Sequence, residues 1–173
     1  DASRVCDVKT GAAIWGKATN HAGLAAAAQL VGLAQCMLDL SIDYAAQRKQ
    51  FGKPIGAFQA VKHQLADVAV KIEFAGPVVH RAAHALANNH PRADVFVSHA
   101  KLAAGEAARL ASRKGIQVHG AMGYTWEADL QMYMKRAITL DGAWGDTAFH
   151  KSRVAEFVFA GEAPLGPGET FTA

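Results

Sequence analysis

The residues best suited to chemistry lie at a corner: Arg48 and Lys49, followed by Gln50, Phe51, Gly52, Lys53 and Pro54. A guanidinium offers an anion a planar fork of donors, and cations are favoured at the C-terminal end of a helix. The corner therefore reads as an anion-binding helix end, with a solvated basic terminus as the plainer alternative. His80 and His84 stand four residues apart, a spacing that lets two imidazoles share a metal. No Asp or Glu completes the set and the segment lacks the HExxH pattern, so no metal site is expected. His63, His99, His119 and His150 are scattered, and His119, beside Gly120, is the one placed to face a ligand. Trp126, Tyr133 and Trp144 read as core. No Gly-x-Ser-x-Gly elbow and no suitably spaced carboxylate pair points to hydrolysis. The glycines at 120 and 123 follow a helical pattern and no strand, which excludes a dinucleotide fingerprint.

Helices must position these residues. Between residues 21 and 47, Leu30, Leu33, Met37, Leu40 and Tyr44 recur at three and four, and Leu24, Ala27, Val31, Ala34, Leu38 and Ile42 form a second stripe. This predicts a central helix covered on two flanks. Pro54 disfavours helical geometry at Lys53, and Gly52 and Gly56 admit angles other residues resist, so the corner is a turn between helices. A second helix is predicted over residues 58–88, with Val61, Leu65, Val68, Ile72, Ala75 and Val79 on one face and a bend at Gly76 and Pro77. An alanine-rich third helix is predicted over residues 92–118, with Val95, Leu102, Ala103, Ala107 and Leu110 inward. A short helix over residues 128–140, a loop over 141–146 and a last helix capped by Asp146 complete the pattern. Residues 1–20 show no clear helical period, and residues 161–173 read as a frayed or draped tail. The class is all-α, an up-and-down bundle.

Composition bounds the rest. The 173 residues are 51% hydrophobic with a net charge of +3, enough for one substantial core and not requiring a second domain. Cations and acids are interspersed, which argues against nucleic acid as a partner. No apolar run reaches the roughly 18 residues of a membrane span, and the N-terminus lacks the layout of a secretion signal. The expected setting is cytoplasmic, with no membrane span. Cys6 and Cys36 fit neither a disulfide framework nor a zinc knuckle.

Two stretches carry a family resemblance: YAAQRKQFGKPIGAFQ at residues 44–59 and GIQVHGAMGY at residues 115–124. Together, at their mutual spacing, they resemble the C-terminal four-helix domain of the acyl-CoA dehydrogenase family, over residues 25–158. The resemblance implies an FAD cofactor, acyl-CoA thioester substrates, a homo- or heterotetramer with another subunit of the family, and an electron-transfer acceptor protein. It also implies that residues 21–160 are the last third of a longer chain, with residues 1–20 the end of a preceding β-domain and the connection out of it. On this resemblance Arg48, Lys49, Gln50, Phe58 and Gln59 at the corner contact the flavin dinucleotide. Gln117, Val118, His119 and Gly120 reach its adenosine half from the neighbouring subunit. The chemistry is apt, because a pyrophosphate wants a forked cation and glycine lets backbone amides approach a ligand closely. Ala121 replaces the second glycine of the family's usual pair and is counted as a further contact.

Family members remove the acyl α-proton with a carboxylate while the β-hydrogen leaves as hydride to the flavin, so a Glu is expected opposite the ring. By resemblance its usual position falls on Trp144 and its alternative position, on the first helix, on Ala22, with Gly23 in place of an adjacent arginine. Neither slot is acidic. Three readings follow. Asp141 or Asp146 acts as a displaced base; the chain is the base-lacking member of a heterotetramer, as in bacterial enzymes handling steroid-side-chain thioesters; or it is a helical assembly module without flavin.

Overall fold

The structure, a computed structural model, describes residues 5–160. Its elements in chain order are α1 (Val8–Gln47), a minimal hairpin of β1 (Lys49–Gln50) and β2 (Lys53–Pro54), a 3-10 turn (Ile55–Ala57), α2 (Gln59–Ala87), α3 (Ala93–His119), a second 3-10 turn (Gly120–Tyr124), α4 (Leu130–Gly142) and α5 (Thr147–Phe159). The expected all-α bundle is the observed one, and α1, α2 and α3 pack mutually with α4 and α5 against them. The hairpin is antiparallel, pairing Lys49 with Pro54 and Gln50 with Lys53.

The main departure from expectation is the start of α1. Residues 8–20, read as lacking a helical period, are helical, and α1 runs for 40 residues, roughly 60 Å at 1.5 Å per residue. Asp7 starts it: its carboxylate accepts from Thr10 N at 2.8 Å and from Thr10 Oγ1 at 2.9 Å, satisfying donors that a helix start leaves open. Gly11 and Gly16 each weaken a helix by about 1 kcal/mol relative to Ala, and α1 nevertheless continues through both. The period is missing because Val8, Ile14 and Trp15 are exposed, so no packing partner dictated one. By length and composition alone α1 contains an 18-residue window of mean hydropathy 1.4, apolar enough to cross a membrane, as core helices also can. Within the fold its stripe of Ala26, Ala27, Leu30, Ala34, Met37 and Leu38 is buried in the core shared with the other helices.

Small residues set how closely the helices approach. Ala26, Ala27 and Ala34 of α1 share the core with Ala100, Ala104, Ala107, Ala108 and Ala111 of α3. The buried face of α3 is therefore turned from the one predicted, and Val95, Leu102, Ala103 and Leu110 are half-buried. Gly115 is needed at this contact: a Cβ there would lie 3.1 Å from Ser41 Oγ and 3.2 Å from Leu130 Cδ1, tighter than side chains tolerate without shifting. α2 continues unbroken through Pro77. Residues 161–173, expected to be a tail, lie outside the described residues.

Candidate functional site: a basic corner, a glycine turn and an aromatic elbow

The corner begins where α1 stops. Arg48 leaves the helix in an extended conformation, its N–H donating to Tyr44 O and its carbonyl accepting from Ile55 N at 2.8 Å. Phe51 (φ 53°) and Gly52 (φ 78°) make the left-handed tip of the hairpin, conformations that only glycine adopts freely. Gly56 lets the 3-10 turn sit on α1, since a Cβ there would come within 3.1 Å of Ala45 O. Lys53 Nζ lies over the Phe58 ring, 4.3 Å from its centroid, and Phe51 meets the same ring edge-on. That leaves Arg48, Lys49, Gln50 and Gln59 as exposed polar side chains at one end of the bundle.

The second expected contact region is brought to the same end, because α3 packs along α1 and its C-terminal turn meets that of α1. Tyr44 and His119 stack with ring centroids 4.3 Å apart. His119 is 8% exposed and its Nδ1 is 2.9 Å from Gly115 O. The imidazole, expected to face a ligand, packs against Tyr44 and joins the turn to the corner. Val118 is buried as well, whereas Gln117, Gly120 and Ala121 are exposed. Gly120 reverses the chain at φ 61°, ψ −139°, with open space where a side chain would stand.

The third region is the elbow between α4 and α5. Trp144 (φ 61°) and Gly145 (φ 108°) turn the chain, and a Cβ at Gly145 would strike the Phe149 ring and His150 Nε2. Trp144 is 48% exposed and Trp126 83%, so neither is the core residue its composition suggested. Neither displaced carboxylate is idle. Asp141 Oδ2 accepts from Arg109 Nη1 at 2.5 Å, and Asp146 Oδ1 caps α5 by accepting from Phe149 N at 2.8 Å. Ala22, the alternative base position, presents a half-buried methyl.

Trp144 opens onto a cleft of about 480 Å³ also lined by Trp15, Thr19, Asn20, Phe149, His150 and Arg153. His150, 2% exposed, is hydrogen-bonded to Ser98 Oγ at 3.0 Å. Burial, with Lys101 and Arg153 nearby, pushes its imidazole down to about pKa 4, which keeps it neutral. Arg153 Nη1 donates to Asn20 Oδ1 at 3.0 Å and to Asp94 O at 3.3 Å, tying α5 to α1 and α3. Sequence reasoning missed Lys101, Arg109 and Arg153, and noted His150 without giving it a role. Among the described residues no group of three or more His, Cys, Asp or Glu could hold a metal.

Comparison with known proteins fits this geometry. The family model described as "Acyl-CoA dehydrogenase, C-terminal domain" matches residues 9–159. The chain is 44% identical over 116 residues to acyl-CoA dehydrogenase IpdE2 of Mycobacterium tuberculosis, covering 67% of this chain and 35% of that protein. It is 43% identical over 104 residues to the caffeyl-CoA reductase-Etf complex subunit CarC of Acetobacterium woodii, covering 60% and 27%. A glutaryl-coenzyme A dehydrogenase solved with glutaryl-CoA superposes with a TM-score of 0.80 at 36% identity, covering 87% of this chain and 38% of that one. The chain thus spans about a third of the length of the relatives it matches. The chain belongs to the acyl-CoA dehydrogenase family, in which it represents the C-terminal helical domain.

Proposed function

We propose that this chain supplies the C-terminal domain of a flavin-dependent acyl-CoA dehydrogenase and serves as the base-lacking subunit of a heterotetramer. The observation that carries this reading is at the elbow, where by resemblance the base position falls on Trp144: both neighbouring carboxylates are engaged, Asp141 with Arg109 and Asp146 with the α5 cap. A proton acceptor must reach the substrate Cα–H within hydrogen-bond range, and in this structure both carboxylates serve other contacts. The displaced-base alternative loses its support accordingly.

The donor set at the corner suits FAD. Arg48 and Lys49 offer charge, and Gln50 and Gln59 amides, from a rigid helix end, and a diphosphate is best held by such forked, pre-positioned donors. Phe58, fixed between Phe51 and Lys53, gives the corner an apolar wall. Gln117, Gly120 and Ala121 offer polar side chain and open backbone to the adenosine half, with Val118 and His119 buried behind them as support. When bound, FAD accepts the β-hydrogen of the acyl thioester as hydride. On this reading residues 1–20 hold the end of a preceding β-domain and the connection out of it, the connection being helical from Val8 onward as part of α1. The reading carries a cytoplasmic setting, an acyl-CoA ligand and an electron-transfer protein as acceptor, the last supported by the Etf-complex name of the CarC relative.

The test is to express the full-length protein alone and together with a second acyl-CoA dehydrogenase subunit encoded beside it, and to read flavin absorbance and acyl-CoA oxidation. Flavin and turnover only in the co-expressed sample are expected. Strong turnover by the lone protein would end the heterotetramer reading, and absence of flavin from both would favour a helical assembly module.

A further inference from the structure

Lys101 is a buried cation without a carboxylate hydrogen-bonded to it. It is 3% exposed, and its Nζ donates to Leu140 O at 2.6 Å, Asp141 O at 3.2 Å and Ala143 O at 2.9 Å. An ammonium has three donors, and the last turn of a helix has carbonyls without intrahelical partners. Lys101 uses all three to cap α4 from the side of α3. One turn along, Gly105 leaves the space that the Asp141 carboxylate fills, so that a Cβ there would collide with it. One turn further, Arg109 Nη1 holds Asp141 Oδ2 at 2.5 Å and reaches Thr147 Oγ1, the first residue of α5, at 3.3 Å. One turn before Lys101, Ser98 holds His150, which packs beneath Gly145.

We infer that Ser98, Lys101, Gly105 and Arg109, one stripe of α3, form a seat that fixes the α4–α5 elbow, with Lys101 the positioning residue that sets where the side chain at position 144 stands in the 480 Å³ cleft. The seat grips both ends of the elbow and leaves the middle to the left-handed pair Trp144 and Gly145. A non-glycine residue held at positive φ is strained and persists only where its surroundings over-determine it. Lys101 and Arg109 are that over-determination. The inference rests on the proposed function only in taking the cleft as ligand-facing; the placement of Trp144 is independent of flavin or turnover.

The experiment uses the assembled protein labelled with 5-fluorotryptophan, each ¹⁹F resonance assigned by its loss on a single Trp→Phe replacement. Lys101→Met is expected to shift the Trp144 resonance and roughly double its H₂O/D₂O isotope shift, as for a ring that is 48% exposed becoming fully exposed, while Trp126 is unmoved. Lys101→Gln, which keeps two donors, should give a smaller change. Gly105→Ala should also move Trp144, whereas Gly142→Ala, at a glycine with open space around it, should not. An unmoved Trp144 in Lys101→Met, or equal movement of Trp126, overturns the inference. If Lys101→Met does not fold, the wild type decides: protein labelled with ¹⁵N-lysine and ¹³C-carbonyl should show a slowly exchanging ammonium coupled to the Leu140 and Ala143 carbonyl carbons, and absence of that coupling overturns it.

Discussion

Tyr44 and His119 lie face to face, 4.3 Å between ring centroids and 22° between planes, and this stack joins the two stretches through which the chain was recognised. Tyr44 is one turn before Arg48, and His119 directly precedes Gly120. The basic corner and the glycine turn are therefore one unit: a displacement of either helix end moves both.

The stack should be measurable as coupling. Aromatic pairs contribute about 0.5–1.5 kcal/mol beyond the area they bury. A double-mutant cycle with Tyr44→Leu and His119→Leu, read by urea unfolding, should return about 1 kcal/mol of interaction. Near-zero coupling would mean that corner and turn are positioned independently.

Arg48 is exposed and its backbone, not its side chain, closes the corner. Arg48→Ala should leave unfolding free energy within about 0.5 kcal/mol of wild type while the assembled protein loses flavin on gel filtration. Retention of flavin at the wild-type ratio would remove the guanidinium from the proposed site.

His150 makes stability depend on pH. Its imidazole falls from an ordinary 6.5 to about 4 in the folded protein, so between those values the unfolded chain binds the extra proton. The stabilisation is fully present above pH 6.5 and is lost as pH falls towards 4, on the order of 2 kcal/mol in all. Unfolding free energies measured from pH 7.5 to 4 should decline more steeply for wild type than for His150→Gln, in which that titration is gone. Parallel curves would show that His150 does not titrate this way.

Asp146 is a helix cap, accepting from Phe149 N. Asp146→Ala should cost about 1 kcal/mol and leave acyl-CoA oxidation by the co-expressed assembly unchanged. A large fall in turnover with stability intact would restore Asp146 as a displaced base.

What the sequence determined by itself was local. The stop of α1 at Gln47, the start of α5 at Thr147 and the Asp146 cap follow from proline, glycine and capping chemistry acting over a few residues, and the family resemblance rested on two short motifs. The tertiary structure decided which faces meet. His119 looked ligand-facing and is buried against Tyr44; Trp126 and Trp144 looked like core and are exposed. Asp141 looked available as a base, until folding brought Arg109, 32 positions away, onto its carboxylate. Lys101 reads as an ordinary charged residue on an alanine-rich helix, and only the approach of carbonyls 39 to 42 positions downstream makes it a buried cap. Caps and turns satisfy groups adjacent in the chain, so their logic is written in adjacent letters. A buried charge is satisfied by whatever the packing of two distant helices delivers, and no local pattern records that meeting.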